Sequence, residues 1–101
     1  MPNAKCLSCS LMPVRLSISF SGLVQGVFFR VTTRDIARDY AVSGWVRNEI
    51  DGSVRCVVEG ERDELDRFLA AVRLAKKTYI EDVAIEESNA TGEFTGFSIR
   101  P

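Results

Sequence analysis

The sequence contains no histidine, and this absence removes the side chain that most often acts as a general base near neutral pH. The chain holds three cysteines, an odd number that does not make a disulfide framework. A closed four-ligand zinc site cannot be built from three cysteines and no histidine unless it borrows a carboxylate. The sequence therefore predicts neither a metal centre nor the usual pairing of a nucleophile with a histidine base.

Two of the cysteines lie close together near the N-terminus, as a Cys6-x-x-Cys9 pair. This spacing occurs in redox and metal sites. The pair precedes the first predicted strand instead of opening a helix, so we interpret it as incidental. Cys56 alternates into the apolar face of a predicted strand, and we expect it to lie in the core as a small hydrophobic residue.

Neither sign of charge dominates, because 13 Lys and Arg residues are balanced by 14 Asp and Glu residues, for a formal net charge of −1. A basic excess is the usual mark of a domain that binds nucleic acid or a membrane surface, so neither partner is expected. No apolar run approaches the ~20 residues that span a bilayer, and the N-terminus lacks the pattern of a signal peptide. The default expectation is a cytoplasmic protein.

The length of 101 residues suits a single domain with one core. Residues 1–13 show no helical or strand periodicity and are interrupted by Pro2, Asn3 and Pro13. We interpret them as a flexible N-terminal leader. Residues 14–101 are predicted to form the domain itself.

Hydrophobic periodicity divides this domain into strands and amphipathic helices. Strands are predicted at residues 14–21, 45–49, 53–59, 81–87 and 97–100. One helix begins at Phe29, runs for about three turns and closes near Ser43 and Gly44, and another contains residues 65–72. Asp51-Gly52 predicts a hairpin turn. This β-α-β-β-α-β order, with a short additional strand, predicts an α+β ferredoxin-like fold: an α/β-sandwich with two helices on one face of an antiparallel sheet.

The loop between the first strand and the first helix reads Gly22-Leu-Val-Gln-Gly-Val-Phe-Phe-Arg30. Its glycines allow the backbone to approach a ligand closely. The first N–H groups of the following helix lack internal partners, so they form an anion site together with the positive end of the helix dipole. Arg30 adds a planar fork of donors that suits a phosphoryl group. A simple turn followed by a solvated arginine fits the same residues, so the loop alone leaves both interpretations open.

Asn48 ends the segment Gly44-Trp-Val-Arg-Asn48, and its amide both donates and accepts hydrogen bonds. We interpret it as orienting a water molecule beside a bound phosphoryl group, although asparagine at a hairpin flank also often caps its own backbone. A site without a general base suits an acyl phosphate, because the carboxylate leaving group needs no protonation. Positioning and electrostatic stabilisation would then drive catalysis, with the phosphoryl oxygens accepting the proton of the water.

These two segments resemble the signature segments of the acylphosphatase family, the second running as Gly44-Trp-Val-Arg-Asn48-Glu-Ile-Asp-Gly52-Ser-Val54 and on to Gly60. The resemblance covers residues 14–100. It implies a ferredoxin-like α/β-sandwich that hydrolyses the carboxyl–phosphate bond of small acyl phosphates. It implies no metal, no cofactor and no covalent phosphoenzyme, and it implies a monomer.

Matched by position, the resemblance implies phosphate binding by Arg30 and orientation of the attacking water by Asn48. It also implies a backbone cradle for the phosphoryl group, formed by Val24, Gln25, Gly26, Val27 and Phe28. Inorganic phosphate or sulfate would compete with the substrate for this cradle. Leu23 is a departure, since many members have a basic residue there, and the local attraction for substrate would be weaker.

Other ferredoxin-like domains have different functions, and the sequence bears on three of them. A heavy-metal-binding domain has its cysteine pair in the first strand-to-helix loop, but residues 22–28 contain no cysteine. An RNA-binding module needs aromatic residues on its central strands, but residues 53–59 contain none. A non-catalytic regulatory or binding module stays open as the alternative, because a fold does not determine a function. Arg30 together with Asn48 argues against it.

Overall fold

The computed structural model describes residues 13–101. The predictions for Cys6, Cys9 and the leader at residues 1–13 lie outside the described residues, apart from Pro13. Within the described range the chain forms two helices and five strands, which are, in order, β1 (Val14–Gly22), α1 (Phe29–Ala37), β2 (Val42–Asn48), β3 (Val54–Gly60), α2 (Arg62–Ala75), β4 (Ile80–Asn89) and β5 (Phe97–Ile99).

The strands of residues 13–101 form one sheet in the order β4-β1-β3-β2-β5. β1 is antiparallel to β3 and β4, and β2 is antiparallel to β3. The predicted ferredoxin-like architecture is confirmed, and the sheet is antiparallel as predicted except at one edge, where the additional short strand β5 is parallel to β2. β4 ends at the end of the sheet where β1 and β2 begin, and the chain crosses to the opposite edge at that end. β5 therefore starts at that end and runs in the direction of β2.

A single hydrophobic core lies between the sheet and the two helices. Alternate residues of the central strands β1 and β3 are fully buried, namely Leu16, Ile18, Phe20, Val54, Cys56 and Val58. The buried residues of the helices are Phe29, Thr33, Ala37, Leu65, Phe68, Leu69 and Val72. Cys56 lies in this core as predicted, and burial raises the pKa of its thiol, so the thiol stays protonated.

Helix α1 begins at Phe29 as predicted but ends at Ala37, earlier than its apolar stripe indicated. The N–H groups of the next three residues donate to carbonyls three residues back, as in a 3₁₀ helix. This tighter winding keeps Tyr40 on the apolar stripe, where its ring centroid lies 6.4 Å from that of Phe68. The stripe therefore continues past the end of the α-helix.

The predicted closure of the helix near Ser43 and Gly44 is wrong, because both residues lie inside β2. Gly44 has a φ of +155°, and a Cβ added there would lie 1.9 Å from the carbonyl oxygen of Val57 on β3. Only glycine allows the two strands to approach this closely. Gly44 is therefore a residue of strand packing and not of helix termination.

The face of the sheet opposite the helices is partly covered by residues 90–96, which are held by the carboxylate of Glu59. This side chain is only 5 % exposed, and it accepts hydrogen bonds from the N–H groups of Thr91 and Gly92, at 3.0 and 2.9 Å. The Nε of Arg15 donates to the same carboxylate at 2.7 Å. Burial raises the pKa of Glu59, but these donors together outweigh it, so the net pKa lies below the ordinary value of 4.5.

We expect Glu59→Gln to destabilise the domain at neutral pH by about 1–3 kcal/mol, because the uncharged amide is a weaker acceptor for the N–H groups of residues 91 and 92. A carboxylate with a depressed pKa stabilises the folded state above its unfolded pKa, and this contribution is lost as the pH falls through the folded pKa. The difference in unfolding free energy between wild type and variant should therefore shrink as the pH of the urea titrations is lowered through the folded pKa of Glu59.

The matched control for this experiment is Glu93→Gln. Glu93 also pairs with Arg15, but its side chain is 56 % exposed, so its loss should change stability by less than about 1 kcal/mol. A stability difference for Glu59→Gln that stayed constant from neutral to acid pH would contradict the role given to the carboxylate charge.

Candidate active site

The sheet topology brings the two predicted site segments to the same place. β1 and β2 are both antiparallel to β3, so their C-terminal ends lie at the same end of the sheet. The loop that follows β1 and Asn48, the last residue of β2, therefore meet there. Residues that are distant in the sequence become neighbours because of strand order.

The loop between β1 and α1 is fixed to the segment that follows α2. The N–H of Leu23 donates to the carbonyl oxygen of Tyr79 at 2.9 Å. The Nζ of Lys76 donates to the carbonyl oxygen of Val27 at 2.7 Å. In a trans peptide the C=O and the next N–H point in opposite directions, so this bond turns the N–H of Phe28 away from Lys76. Sequence reasoning missed Lys76, because its position against the loop is a long-range contact.

The backbone of the loop takes left-handed conformations at two of its residues. Gly26 has a φ of +80° and Phe28, which precedes the first residue of α1, has a φ of +60°. A bulky non-glycine residue rarely adopts this conformation, and the cost is about 1–2 kcal/mol. The ring of Phe28 is 79 % exposed, so its burial does not repay this strain. Strain of this kind concentrates at ligand sites.

The N–H groups at the start of α1 have no protein acceptor among residues 13–101. Within the described part of the chain, no N–H group of residues 26–31 donates a hydrogen bond to a protein acceptor. The cap residue makes no side-chain hydrogen bond, and the first turn of α1 contains no acidic residue. The positive end of the helix dipole therefore faces the site with no carboxylate of that turn to neutralise it.

A cleft of about 220 Å³ opens beside these N–H groups. Its lining residues are Val24, Gly26, Phe28, Phe29, Arg30, Val31 and Asn48. Its volume accommodates a phosphoryl group and a water molecule, whose share of liquid volume is about 30 Å³. Arg30 and Asn48 are both half-buried, and neither side chain has a hydrogen-bond or ion-pair partner among residues 13–101. The backbone-capping interpretation of Asn48 thus has no hydrogen bond to support it.

Two residues predicted for the cradle do not line the cleft. Val27 turns its carbonyl oxygen to Lys76. The side chain of Gln25 points to the β2–β3 hairpin, where its Nε2 donates to the carbonyl oxygens of Glu49 and Ser53 at 2.7 and 2.9 Å. The sequence carries no local signal for either contact, because both depend on how distant segments pack.

The β2–β3 hairpin that follows Asn48 forms at Asp51-Gly52, as predicted. The N–H of Glu49 donates to the carbonyl oxygen of Ser53 at 2.8 Å, and the N–H of Gly52 donates to the carbonyl oxygen of Glu49 at 3.1 Å. The carboxylate of Asp51 accepts from both the N–H and the hydroxyl of Ser53. The end of β2 is therefore held in a tight, well-bonded turn.

No group of three or more His, Cys, Asp or Glu side chains within residues 13–101 comes together as a set of metal ligands. None of the helices in this range combines the length and the apolar character needed to cross a membrane.

Comparison with known proteins gives a consistent set of names. The family model Acylphosphatase matches residues 16–99. An acylphosphatase of Salinibacter ruber is 46 % identical over 87 residues, which cover 85 % of this chain and 92 % of that protein. One of Pyrobaculum calidifontis is 41 % identical over 90 residues, which cover 87 % and 82 %. The crystal structure of acylphosphatase from Bacillus subtilis matches with a TM-score of 0.79 and 30 % identity, over 87 % of this chain and 99 % of that one.

Proposed function

The chain belongs to the acylphosphatase family, and we propose that in its cleft Arg30 binds the phosphoryl group of the substrate while Asn48 orients the attacking water. The enzyme is an acylphosphatase, which hydrolyses acyl phosphates to a carboxylate and inorganic phosphate. One observation supports the residue assignment above all others: both side chains line one cleft, without protein partners in the described range, next to unpaired N–H groups.

Binding rests on donors alone. Gly26 and residues 28–31 line the cleft, their N–H groups have no protein acceptor in the described range, and Arg30 adds its guanidinium. A phosphoryl group presents several acceptor oxygens to such a set of donors. Hydrogen bonds from a charged guanidinium are about twice as strong as neutral ones, and a planar fork binds two oxygens at once. The left-handed backbone of Gly26 and Phe28 shapes the loop that carries these donors before the substrate arrives, at a conformational cost only at Phe28.

The chemical step is a direct attack of water on phosphorus. A bond forms between the water oxygen and phosphorus, and the bond between phosphorus and the acyl oxygen breaks, with its electron pair leaving on the carboxylate. One proton of the water passes to a phosphoryl oxygen, so no protein base is needed. The carbonyl oxygen of the Asn48 amide accepts from the water and its NH2 group donates to a phosphoryl oxygen, which fixes the line of attack.

We also propose that residues 14–101 form the catalytic domain and that it acts as a monomer. All seven elements of the described chain contribute to one sheet or to the helices that cover it. Among the large exposed apolar side chains, Leu23 and Phe28 share the loop after β1, while Ile50 lies in the hairpin, Leu74 on α2 and Ile85 on β4. Obligate interfaces bury a large contiguous apolar surface, and exposed side chains distributed over a hairpin, a helix and an edge strand favour a monomer.

A phosphate-release assay on a simple acyl phosphate, with a chelator in excess, tests the proposal. We expect turnover to be unchanged by the chelator, because the donors that bind the substrate are all protein groups. Turnover that disappeared with chelator and returned with a divalent cation would overturn the mechanism. A complete lack of turnover would favour the non-catalytic binding module.

Inorganic phosphate and sulfate are expected to inhibit competitively and to raise Tm, because both would occupy the N–H groups of residues 26–31. A ligand at ten times its dissociation constant stabilises the folded state by about 1.4 kcal/mol, which corresponds to roughly 5–10 °C for a domain of this size. Thermal melts in phosphate, with sodium chloride at equal ionic strength as the control, measure this effect. Equal shifts in phosphate and chloride would remove the anion cradle from the mechanism.

A further inference from the structure

We infer that Gln25 is a positioning residue, whose side chain fixes the phosphate-binding loop against the hairpin that carries Asn48. The inference rests on the proposed roles of Arg30 and Asn48 and deepens them. In this role the Gln25 side chain, which lies outside the cleft, sets the distance between the bound phosphoryl group and the water.

The side-chain amide of Gln25 makes two hydrogen bonds to one turn. Its Nε2 donates to the carbonyl oxygen of Glu49 at 2.7 Å and to that of Ser53 at 2.9 Å. These two residues lie on opposite sides of the β2–β3 turn, and Glu49 directly follows Asn48. The two N–H groups of this amide therefore connect the loop to the turn that follows Asn48, the residue predicted to orient the water.

The hairpin does not need these two bonds for its own folding. The carbonyl oxygen of Glu49 already accepts from the N–H of Gly52, and that of Ser53 already accepts from the N–H of Glu49. A carbonyl oxygen has two lone pairs, so Gln25 occupies the second position on each. Removing its donors leaves no buried carbonyl without a partner, and the expected loss of stability is small.

The loop is anchored to two different parts of the protein, with its ends bonded to the segment after α2 and its middle to the hairpin. Leu23 and Val27 bond to Tyr79 and Lys76, which lie after α2 and on no part of the hairpin. Among the hydrogen bonds of the described residues, those of Gln25 alone connect the loop to the hairpin. Without them the loop would keep its bonds to the segment after α2, while its distance from Asn48 would be set only by the packing of Val24 in the core and by no hydrogen bond within the described range.

Loss of this link should affect the chemical step more than binding. The reaction requires the water, phosphorus and leaving oxygen in line, and a misplacement of about 1 Å can reduce the rate by about 10²-fold. Binding depends on Arg30 and the N–H groups, which all belong to the loop and α1. A residue with this role has its effect in kcat and not in KM.

The test uses Gln25→Met, which keeps the length of the side chain and removes both donors. With acetyl phosphate as substrate, we expect kcat to fall by about 10–100-fold, and KM and the inhibition constant for inorganic phosphate to change by less than about threefold. Gln25→Lys supplies ammonium donors for the same two carbonyl oxygens and should recover most of kcat. A lysine variant as slow as the methionine variant would overturn the inference.

The matched control is Asp51→Ala, which removes the cap on Ser53 and leaves the bonds of Gln25 intact. It should lower Tm while kcat stays within about twofold, because it weakens the turn without releasing the loop. If Gln25→Met instead lowered Tm and left kcat unchanged, Gln25 would have a structural role and the inference would be wrong.

A double variant separates this inference from the proposed function. If Gln25 acts by placing the loop relative to Asn48, then Gln25→Met added to Asn48→Ala should reduce kcat no further than Asn48→Ala does alone. Multiplied losses would overturn the inference while the roles of Arg30 and Asn48 stand. An Asn48→Ala enzyme with normal kcat would instead overturn the proposed function, whatever Gln25 does.

Discussion

Arg30→Lys is expected to lose nearly all activity, at least about 10²-fold in kcat/KM, while the protein folds normally. Lysine keeps the charge but lacks the planar fork, so binding of two phosphoryl oxygens at once is lost, and one charge-assisted hydrogen bond is equivalent to about 1.5–3 kcal/mol. The fold should tolerate the change because the Arg30 side chain has no protein partner within residues 13–101. Steady-state kinetics measure the loss of activity, inhibition by phosphate measures the loss of anion binding, and Tm measures whether the variant folds normally.

Arg38→Lys is the matched control, at the other end of α1. Arg38 is the C-terminal cap residue of the helix, and its side chain is 68 % exposed. The same chemical change there should leave activity and Tm near those of the wild type. If Arg30→Lys kept near-wild-type activity, or if it lost activity only because it unfolded, the assignment of Arg30 to the phosphoryl group would be wrong.

Asn48→Ala is expected to reduce kcat by about 10²–10³-fold with little change in KM or in inhibition by phosphate. Loss of one well-placed hydrogen-bonding group for a reacting atom has effects of this size. An interaction made chiefly in the transition state lowers kcat and kcat/KM together. Arg30 remains in place, so ground-state binding of the anion should survive.

The backbone-capping interpretation of Asn48 makes the opposite prediction, a lower Tm with normal specific activity in the folded fraction. The structure gives the Asn48 side chain no hydrogen bond within the described range, so we expect Tm to change by only a few degrees. Asn89→Ala, at the exposed end of β4, is the control for removing an asparagine from a strand. A destabilised but fully active Asn48→Ala enzyme would exclude the water-orienting role.

Arg30 and Asn48 could be proposed as site residues from the sequence alone, because each lies in a short segment with a recognisable local pattern. Gly22 and Gly26 bracket a loop, and the residues that follow have helical spacing, so the position of Arg30 at a helix start is visible along the chain. The pairing of this loop with Asn48 required the order of the strands, which the β-α-β-β-α-β pattern predicts. The cleft therefore follows from element order and short motifs together.

Contacts between residues that are distant in the sequence could not be predicted in this way. Position 44 of β2 requires glycine because the β3 backbone comes too close for any side chain. This close approach depends on the register of the two strands. Glu59 alternates with apolar residues and so looks solvent-facing, but residues 90–96 fold over it. The side chain of Gln25 likewise finds its acceptors only in the folded protein. Local periodicity contains no information on these contacts.

The chemical character of the cleft lining determines how the enzyme responds to acid and base. Among the described residues, the lining contains no carboxylate, imidazole, thiol, phenol or lysine amine. A bell-shaped rate profile requires an acid and a base that titrate, and the lining contains neither. We therefore expect the pH dependence of kcat to report the ionisation of the substrate phosphoryl group. Protonation of Glu59, on the face of the sheet opposite the helices, removes a charge that stabilises the fold, so acid should lower the stability of the protein independently of the chemistry in the cleft.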